Sequence, residues 1–336
     1  MRVFDLHCDT IDALALRDVD AIGSVLGPLD GDDLLQNRLA LDLARMRRAA
    51  SDGWYQCFAI WVPEDLEGTP LSPRIAYERA LGYFREQVAR HADAVTQVRT
   101  ASEADAAVAS GRVAAFLTLE GAAPIGEELG YLDRLHEDGV RMVTLCWNGK
   151  NALASGHGTT DGLSRFGRRA IRRMEELGMV VDVSHLNDEG FADLLACSGA
   201  PFVASHSNSR AICGHPRNLT DDQFRAIADR EGLVGLNYFR GFVAERAEAM
   251  GAMAAGHPAP EVSFDELAAH VEHFLDLGGE GVIALGSDYD GSDVPAWLDG
   301  CQTLPAFRER MSVRFGEDLC ERLFFANARA FFARLG

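Results

Sequence analysis

The sequence predicts an α/β fold, a closed (β/α)₈ barrel of the TIM type with extra C-terminal helices. Eight short runs rich in β-branched and aromatic residues alternate with amphipathic helical patterns, which is typical of parallel strands joined by helices. Eight such repeats fit a barrel that closes on itself. Because no linker or change of composition interrupts the pattern, we expect residues 1–336 to form a single barrel domain.

The predicted strands are short apolar runs, and several of them end in a histidine or a carboxylate. They are VFDLHCD (3–9), WYQCFAIWV (54–62), VAAFLTLE (113–120), VRMVTLCW (140–147), MVVDVSH (179–185), PFVASH (201–206), LVGLNYF (233–239) and VIALGSD (282–288). In a barrel of this type the carboxyl ends of the strands carry the active site. We therefore expect the polar strand ends to meet at one face.

Helical patterns fill the segments between these runs, at 33–50, 73–92, 102–110, 130–138, 164–177, 188–196, 220–230 and 263–277. Ser263, with Glu266 three residues later, predicts a capping box at the start of the last one. The tail predicts further helices at 305–315 and 317–335, broken near Asn327. Two long connections, 148–162 and 240–262, follow predicted strands and are expected to close over a substrate.

Composition excludes several classes of partner. The 336 residues include 32 basic and 51 acidic side chains, a net charge of −19, which argues against binding nucleic acid or an anionic membrane surface. Seven scattered cysteines without a Cys-x-x-Cys pair indicate reduced thiols. No apolar run is long enough to span a membrane, and no signal peptide is recognisable. We therefore expect a soluble, cytoplasmic protein.

Ionisable residues stand where a barrel core would exclude them. Alternation along a strand puts His185 on one face with Val181 and Val183, so we expect that face to line the barrel interior. The same reasoning predicts that His206 and Asp288 point inward. Each residue alone might be an ordinary buried polar group, but six such coincidences favour a shared site: His7, Asp9, Glu120, His185, His206 and Asp288.

Three histidines and three carboxylates exceed the ligand set of one catalytic zinc, which takes three protein ligands and a water. Two metal ions that share a bridging carboxylate fit the count. Nitrogen and oxygen ligands without thiolate favour Zn²⁺, with other divalent metals still open. Such a pair lowers the pKa of water to give hydroxide at neutral pH and polarises the carbonyl under attack. The residues therefore predict a metal-dependent hydrolase.

The motifs around these residues resemble the renal (membrane) dipeptidase family of zinc peptidases. They are Asp5-Leu-His7-Cys-Asp9-Thr10, Leu119-Glu120-Gly121, Asp182-Val-Ser-His185, Ser205-His206-Ser207, Arg217-Asn218 and Gly286-Ser-Asp288-Tyr-Asp290-Gly291. The resemblance covers nearly the whole chain in order and spacing. It implies a (β/α)₈ barrel with two zinc ions that hydrolyses free dipeptides, often with a C-terminal D-residue. The family also suggests a homodimer.

The resemblance also implies a role for each metal ligand. His7 and Asp9 would bind one zinc ion, His185 and His206 would bind the other, and Glu120 would bridge the two. A hydroxide held between the metals would attack the peptide bond.

Further roles concern proton transfer and the substrate. Asp288 would activate the bridging water and then protonate the leaving amine, and Arg217 would bind the carboxylate of the dipeptide. Trp147 stands where the mammalian enzymes have a substrate-binding histidine. A substrate-binding tyrosine of those enzymes falls on Phe242, with Tyr238 nearby, so Trp147 and Tyr238 are further substrate-binding candidates.

Two alternatives remain at this stage. The chain might be another amidohydrolase that acts on a cyclic amide, a lactone or a phosphoester. Many of those enzymes bridge their metals with a carbamylated lysine, for which Lys150 is the one lysine available. It might also be a non-catalytic metal-binding barrel, although the presence of both Asp288 and Arg217 argues against lost catalysis.

Overall fold

The computed structural model describes residues 1–16, 31–66, 71–247 and 260–335, and it contains nine parallel strands. They are β1 (Arg2–Asp5), β2 (Gly53–Trp61), β3 (Val95–Val98), β4 (Val113–Glu120), β5 (Val140–Thr144), β6 (Val180–Asp182), β7 (Val203–Ala204), β8 (Leu233–Leu236) and β9 (Ile283–Leu285). Eight of them correspond to the eight runs expected from the sequence. The short strand β3 was not predicted, because its four residues VTQV are half polar.

The eight predicted strands close into a barrel. Neighbouring strands follow the order β2-β1-β9-β8-β7-β6-β5-β4, and β2 pairs with β4 to complete the ring. Strand β1 pairs on both sides: Arg2 lies opposite Gly53 of β2, and Asp5 lies opposite Leu285 of β9, the last strand. Strand β3 pairs with the first half of β4. The (β/α)₈ prediction is confirmed.

Helices follow the strands on the outside. They are α1 (Thr10–Ala15), α2 (Leu43–Ala49), α3 (Pro73–Arg90), α4 (Ala101–Ala109), α5 (Gly130–Asp138), α6 (Arg165–Glu176), α7 (Asp188–Cys197), α8 (Asp221–Asp229), α9 (Arg240–Val243), α10 (Phe264–Asp276), α11 (Leu304–Phe315), α12 (Glu317–Glu321) and α13 (Asn327–Ala333), with a π-helix at Arg322–Ala326. The predicted capping box of Ser263 and Glu266 is present at the start of α10.

The predicted helix over 33–50 was too long. Only its last part, α2, is helical, and Asp42 caps it by accepting a hydrogen bond from the Arg45 amide. Before it, Asp33 Oδ1 accepts hydrogen bonds from the backbone amides of Leu35 and Gln36. Such local side-chain to backbone bonds compete with helix formation.

Two buried clusters separate the inside of the barrel from its outside. One cluster contains a side chain from each barrel strand: Phe4, Tyr55, Phe116, Met142, Val180, Val203, Leu233 and Ala284. These strand residues line the barrel interior, and the same cluster continues into residues of α4 and α13. The next residues along the strands, such as Val181 and Ala204, belong to a larger cluster shared with the helices. The face to which a side chain belongs can therefore be read from its cluster.

The C-terminal segment closes the amino-terminal end of the barrel. Phe332 of α13 packs its ring 4.9 Å from that of Phe4 and 4.8 Å from that of Phe116. Arg329 holds the same helix by a paired contact with Asp105 of α4, whose carboxylate also accepts the Tyr55 hydroxyl. The polar end of the barrel therefore lies opposite this apolar floor.

The connection 148–162 is tied to the barrel rim. The His157 amide donates to the His185 carbonyl at 2.8 Å, and the Gly156 amide donates to the Gly149 carbonyl at 2.6 Å. Part of the second long connection, residues 248–259, lies outside the described residues. Within the described part of the chain, no helix has the length and apolar character needed to cross a membrane.

Candidate functional site

Glu120 is the centre of the polar cluster at the carboxyl ends of the strands. It is the last residue of β4, and its Oε1 lies 2.8 Å from His185 Nε2 and 3.7 Å from His206 Nε2. Its other oxygen, Oε2, lies 3.2 Å from His7 Nε2, which is 3.4 Å from Asp9 Oδ2. The two carboxylate oxygens therefore face different imidazoles: Oε1 faces His185 and His206, and Oε2 faces His7.

His185 and His206 reach this cluster by turns of the chain. Val181 and Val183 lie in the outer cluster, so strict alternation along β6 would carry His185 outward. Instead β6 ends at Asp182, and His185 adopts a left-handed backbone with φ of 69°. Strand β7 likewise ends at Ala204, two residues before His206. The inward position of both histidines was predicted correctly, but the alternation argument for it was wrong.

His7 and Asp288 are positioned in different ways. The chain bends at Leu6 after β1 ends, which turns His7 toward Glu120. Asp288 follows the interior residue Ala284 in alternation, and its φ of 60° is unusual for a residue other than glycine. Backbones of this kind cost about 1–3 kcal/mol and concentrate at functional sites.

Burial gives the site unusual protonation. Burial raises the pKa of Glu120 to about 7, against the effect of His7 and with a contribution from Asp9. Burial opposes charge on His7, but the carboxylates of Asp9 and Glu120 outweigh it and raise its pKa well above the usual value. Burial also holds the pKa values of His185 and His206 well below the usual value. The charge of Arg217 adds to this effect at His185, and that of His7 adds to it at His206.

These residues fit a metal ion. Among the described residues, two overlapping groups have donor atoms within 4.8 Å of one another: His7, Glu120 and His206, and His7, Asp9 and Asp288. Within the same part of the chain, His7 Nε2 and Asp9 Oδ1 are buried and have no hydrogen-bond partner. Buried polar atoms without a partner cost free energy, which a bound cation would recover.

Arg217 borders the cluster on one side. Its guanidinium is 4% exposed, with Nη1 donating to Ser207 Oγ at 3.0 Å and Nη2 donating to the His206 carbonyl at 3.2 Å. Its Nε is buried without a hydrogen-bond partner in the described structure, and the guanidinium lies 5.2 Å from the ring centre of Phe242. An arginine with a spare donor beside a metal site is suited to an anionic group.

The other substrate-binding candidates have different outcomes. Trp147 lies at the site, with its ring centre 6.2 Å from that of His185 and 5.0 Å from that of Trp61. The structure does not support Tyr238 as a substrate-binding residue, because its side chain is fully buried and packs between Tyr289 and Phe307 of α11. Alternation from the interior residue Leu233 puts Asn237 on the inward face and Tyr238 on the outer face, in the cluster shared with the helices.

Lys150 does not join the cluster. Its Nζ pairs with Asp161 at 2.5 Å, and both side chains are about 60% exposed. An exposed lysine that is paired with Asp161 contributes no donor atom to the group around Glu120.

Sequence reasoning missed several polar neighbours of the site. Asn237 donates from Nδ2 to Asp288 Oδ2 at 3.1 Å, and Asn148 Oδ1 lies 2.9 Å from His185 Nδ1. Both asparagines follow strands, but a search restricted to ionisable strand ends passes over them. His157, in the connection 148–162, also approaches the site, with its ring centre 6.1 Å from that of His185. Burial, with Arg217 and His215, lowers the pKa of His157 to about 4.

Comparison with known proteins identifies the family. The family model described as membrane dipeptidase (peptidase family M19) matches residues 1–329. A Klebsiella pneumoniae protein, described as an uncharacterized protein in the pqqA 5′ region, is 35% identical over 195 residues, which are 56% of this chain and 69% of that protein. An uncharacterized dipeptidase of Schizosaccharomyces pombe is 31% identical over 209 residues, 60% of this chain and 48% of that protein.

Solved structures extend the similarity to the whole fold. A metallopeptidase from Rhodobacter sphaeroides, liganded with a phosphinate mimic of L-Ala-D-Ala, superposes with a TM-score of 0.84 at 28% identity, over 100% of this chain and 99% of that one. The dipeptidase AC, a metallopeptidase of family M19, gives a TM-score of 0.83 at 30% identity, over 99% and 98% of the two chains. The chain therefore belongs to the membrane dipeptidase family, peptidase family M19, and is a metal-dependent dipeptidase.

Proposed function

We propose that the enzyme uses two zinc ions to hydrolyse free dipeptides, including those with a C-terminal D-residue. The observation that carries the metal count is the division of Glu120, whose Oε1 faces His185 and His206 while its Oε2 faces His7. His7 and Asp9 would hold one ion, and His185 and His206 the other. Glu120 would contribute one oxygen to each.

The donor set supports zinc. It consists of imidazole nitrogens and carboxylate oxygens, a combination that zinc accepts readily. When bound, such ions lower the pKa of water and polarise the carbonyl of the peptide bond. The free thiol of Cys8 does not compete for them, because it points to the Cys57 carbonyl at 3.6 Å.

Asp288 is proposed to take up and return the proton. Its Oδ2 accepts a hydrogen bond from Asn237. Its Oδ1 and Asp9 Oδ2 both lie next to the backbone of Gly291, where an added Cβ would be 3.0 Å from Asp288 Oδ1 and 2.0 Å from Asp9 Oδ2. Burial raises the pKa of Asp288, with Asp9 adding to the shift and His7 opposing it, so the carboxylate accepts a proton more readily. It can then pass that proton to the leaving amine.

Arg217 is proposed to bind the carboxylate of the substrate. Two of its nitrogens are held by Ser207 and the His206 carbonyl, which pre-orients the guanidinium, and its Nε has no partner among the described residues. The C-terminal carboxylate of the substrate must reach the buried guanidinium of Arg217 next to the metal site. The substrate can therefore extend only about one residue beyond the cleaved bond. The mimic of L-Ala-D-Ala bound by the R. sphaeroides relative supports a C-terminal D-residue.

The test is amine release from a panel of free dipeptides, with L-L and L-D pairs side by side and amino-terminally acetylated and tripeptide controls. The zinc-loaded protein is compared before and after chelation, and its zinc content is measured by elemental analysis. We expect two zinc ions per chain, metal-dependent cleavage of free dipeptides, and turnover of L-D pairs.

Each part of the proposal can fail separately. One zinc per active chain would refute the binuclear site. Cleavage of L-L dipeptides alone would refute the stereochemical part. A fully loaded protein that cleaves lactones or cyclic amides in preference to dipeptides would move the substrate to another class.

A further inference from the structure

We propose that two hydrogen-bond relays, one buried and one partly buried, set the affinity for one of the two metal ions. In each relay a carboxylate holds a polar residue, which in turn fixes the proton of a histidine on Nδ1: Asp182 acts through Ser205 on His206, and Glu64 acts through Asn148 on His185. Ser205 and Asn148 are therefore positioning residues. The inference rests on the proposed metal site.

The first relay begins at Asp182, which is fully buried. Its Oδ2 accepts the hydroxyls of Thr144 at 2.7 Å and Ser205 at 2.5 Å, and its Oδ1 accepts the backbone amides of Ser184 and Ser205, both at 2.9 Å. The Ser205 hydroxyl has a single proton, which it donates to this carboxylate. It must therefore accept the hydrogen bond that links it to His206 Nδ1 at 2.8 Å, so that nitrogen carries the proton.

The second relay reaches His185 from the connection that follows β5. Asn148 Oδ1 lies 2.9 Å from His185 Nδ1, and an amide oxygen only accepts, so the proton again lies on Nδ1. Glu64 holds the backbone on both sides of this asparagine. Its Oε1 accepts the Trp147 amide at 2.6 Å and its Oε2 accepts the Gly149 amide at 3.4 Å.

Both relays have the same consequence at the far side of the rings. With the protons on Nδ1, the Nε2 atoms of His185 and His206 present lone pairs to each other across 3.1 Å, and both face Glu120 Oε1. When Glu120 is ionised, these three acceptors have no hydrogen between them and repel one another unless a cation lies among them. The other imidazole, His7, meets carboxylates instead, so the relays act on one ion and not on the other.

The test replaces the positioning residues in the full chain and measures zinc binding. Ser205→Ala and Asn148→Ala should each lower the affinity for one of the two zinc ions by about 10- to 100-fold in a chelator competition titration. This range is typical for residues that orient a metal ligand. The affinity for the second ion should stay at the wild-type value. Ser205→Thr, which keeps the hydroxyl, and Asn148→Asp, which keeps the acceptor, should restore most of the lost affinity.

Two matched controls separate positioning from folding. Thr144→Ala removes another hydroxyl from the same Asp182 carboxylate but leaves Ser205 in place. Lys150→Ala changes the same connection as Asn148 at an exposed position. Both should bind zinc as the wild type does.

A further variant tests how Glu64 acts. Glu64→Gln should lower zinc affinity, and combining it with Asn148→Ala should add little to the effect of Asn148→Ala alone, because Glu64 acts through that asparagine. Additive losses would overturn this relay.

The proposal is overturned if Ser205→Ala and Asn148→Ala keep wild-type affinities, or if Thr144→Ala loses as much as Ser205→Ala. A wild type that binds a single zinc would refute the binuclear function. The ratio of affinities between variant and wild type for that ion would still decide whether the relays act on it.

Discussion

Replacing Asp288 by asparagine removes the proposed proton carrier with little change of shape. In the native enzyme Asn237 Nδ2 donates to the Asp288 carboxylate at 3.1 Å, and the new amide oxygen can still accept this hydrogen bond. Asparagine also tolerates the φ of 60° better than most residues. The change also removes a buried negative charge next to Asp9. We therefore expect the free energy of unfolding of the metal-free protein to change by less than about 1 kcal/mol.

Turnover should respond very differently. Loss of a general acid and base costs about 100-fold or more, which is about 2.7 kcal/mol in the activation free energy. The assay is kcat for a free dipeptide at saturating substrate, with zinc content measured on the same sample because Asp288 lies in one of the candidate metal groups. An Asp288→Asn enzyme with full zinc content and wild-type kcat would refute the proton-transfer role.

Three further changes test the rest of the site. Gly291→Ala would put a Cβ 2.0 Å from Asp9 Oδ2, so we expect at least tenfold weaker zinc binding in a chelator titration, whereas Gly281→Ala, with nothing within 4 Å, should be silent. Equal affinities for the two variants would contradict the close approach. Arg217→Met should raise KM for dipeptides by about 10- to 100-fold at unchanged zinc content, since a charged hydrogen bond contributes about 1.5–3 kcal/mol; an unchanged KM would exclude carboxylate binding. Burial raises the pKa of Glu120 from 4.5 to about 7, so between these values the metal-free native state binds more protons than the unfolded state. Its free energy of unfolding should therefore fall by about 3 kcal/mol from pH 4.5 to pH 7 in urea titrations, and Glu120→Gln should flatten that slope. In the same range zinc affinity should rise with pH, because the proton and the metal compete for the carboxylate.

The architecture could be predicted because it depends on local patterns. The alternation of apolar runs and helices identified all eight barrel strands, and polar residues at strand ends identified Glu120, Asp288 and the three histidines that the structure brings together. Those signals are visible along the chain. The barrel rule then places the strand ends on one face without any knowledge of side-chain contacts.

The path of each side chain into the site could not be predicted in this way. Period-two alternation holds only while a strand continues. Strands β6 and β7 end before the chain reaches His185 and His206. His185 has a left-handed backbone, and its Nδ1 lies 2.9 Å from Oδ1 of Asn148, a residue 37 positions earlier that no local pattern indicates. The burial of Tyr238 depends on Phe307 of a C-terminal helix, a partner that no local pattern indicates.

The pairing of β1 with β9 has a consequence for how the protein is made. The first strand cannot complete its hydrogen bonds until residues near 285 have left the ribosome, and Asp5 accepts hydrogen bonds from Ser287, 282 positions later. His7 and Asp288 thus belong to the first and last parts of the barrel to be synthesised. Contacts of such long range slow folding. Metal insertion should therefore be a late event that follows synthesis of β9, because His7 and Asp9 take their final positions only when the barrel closes.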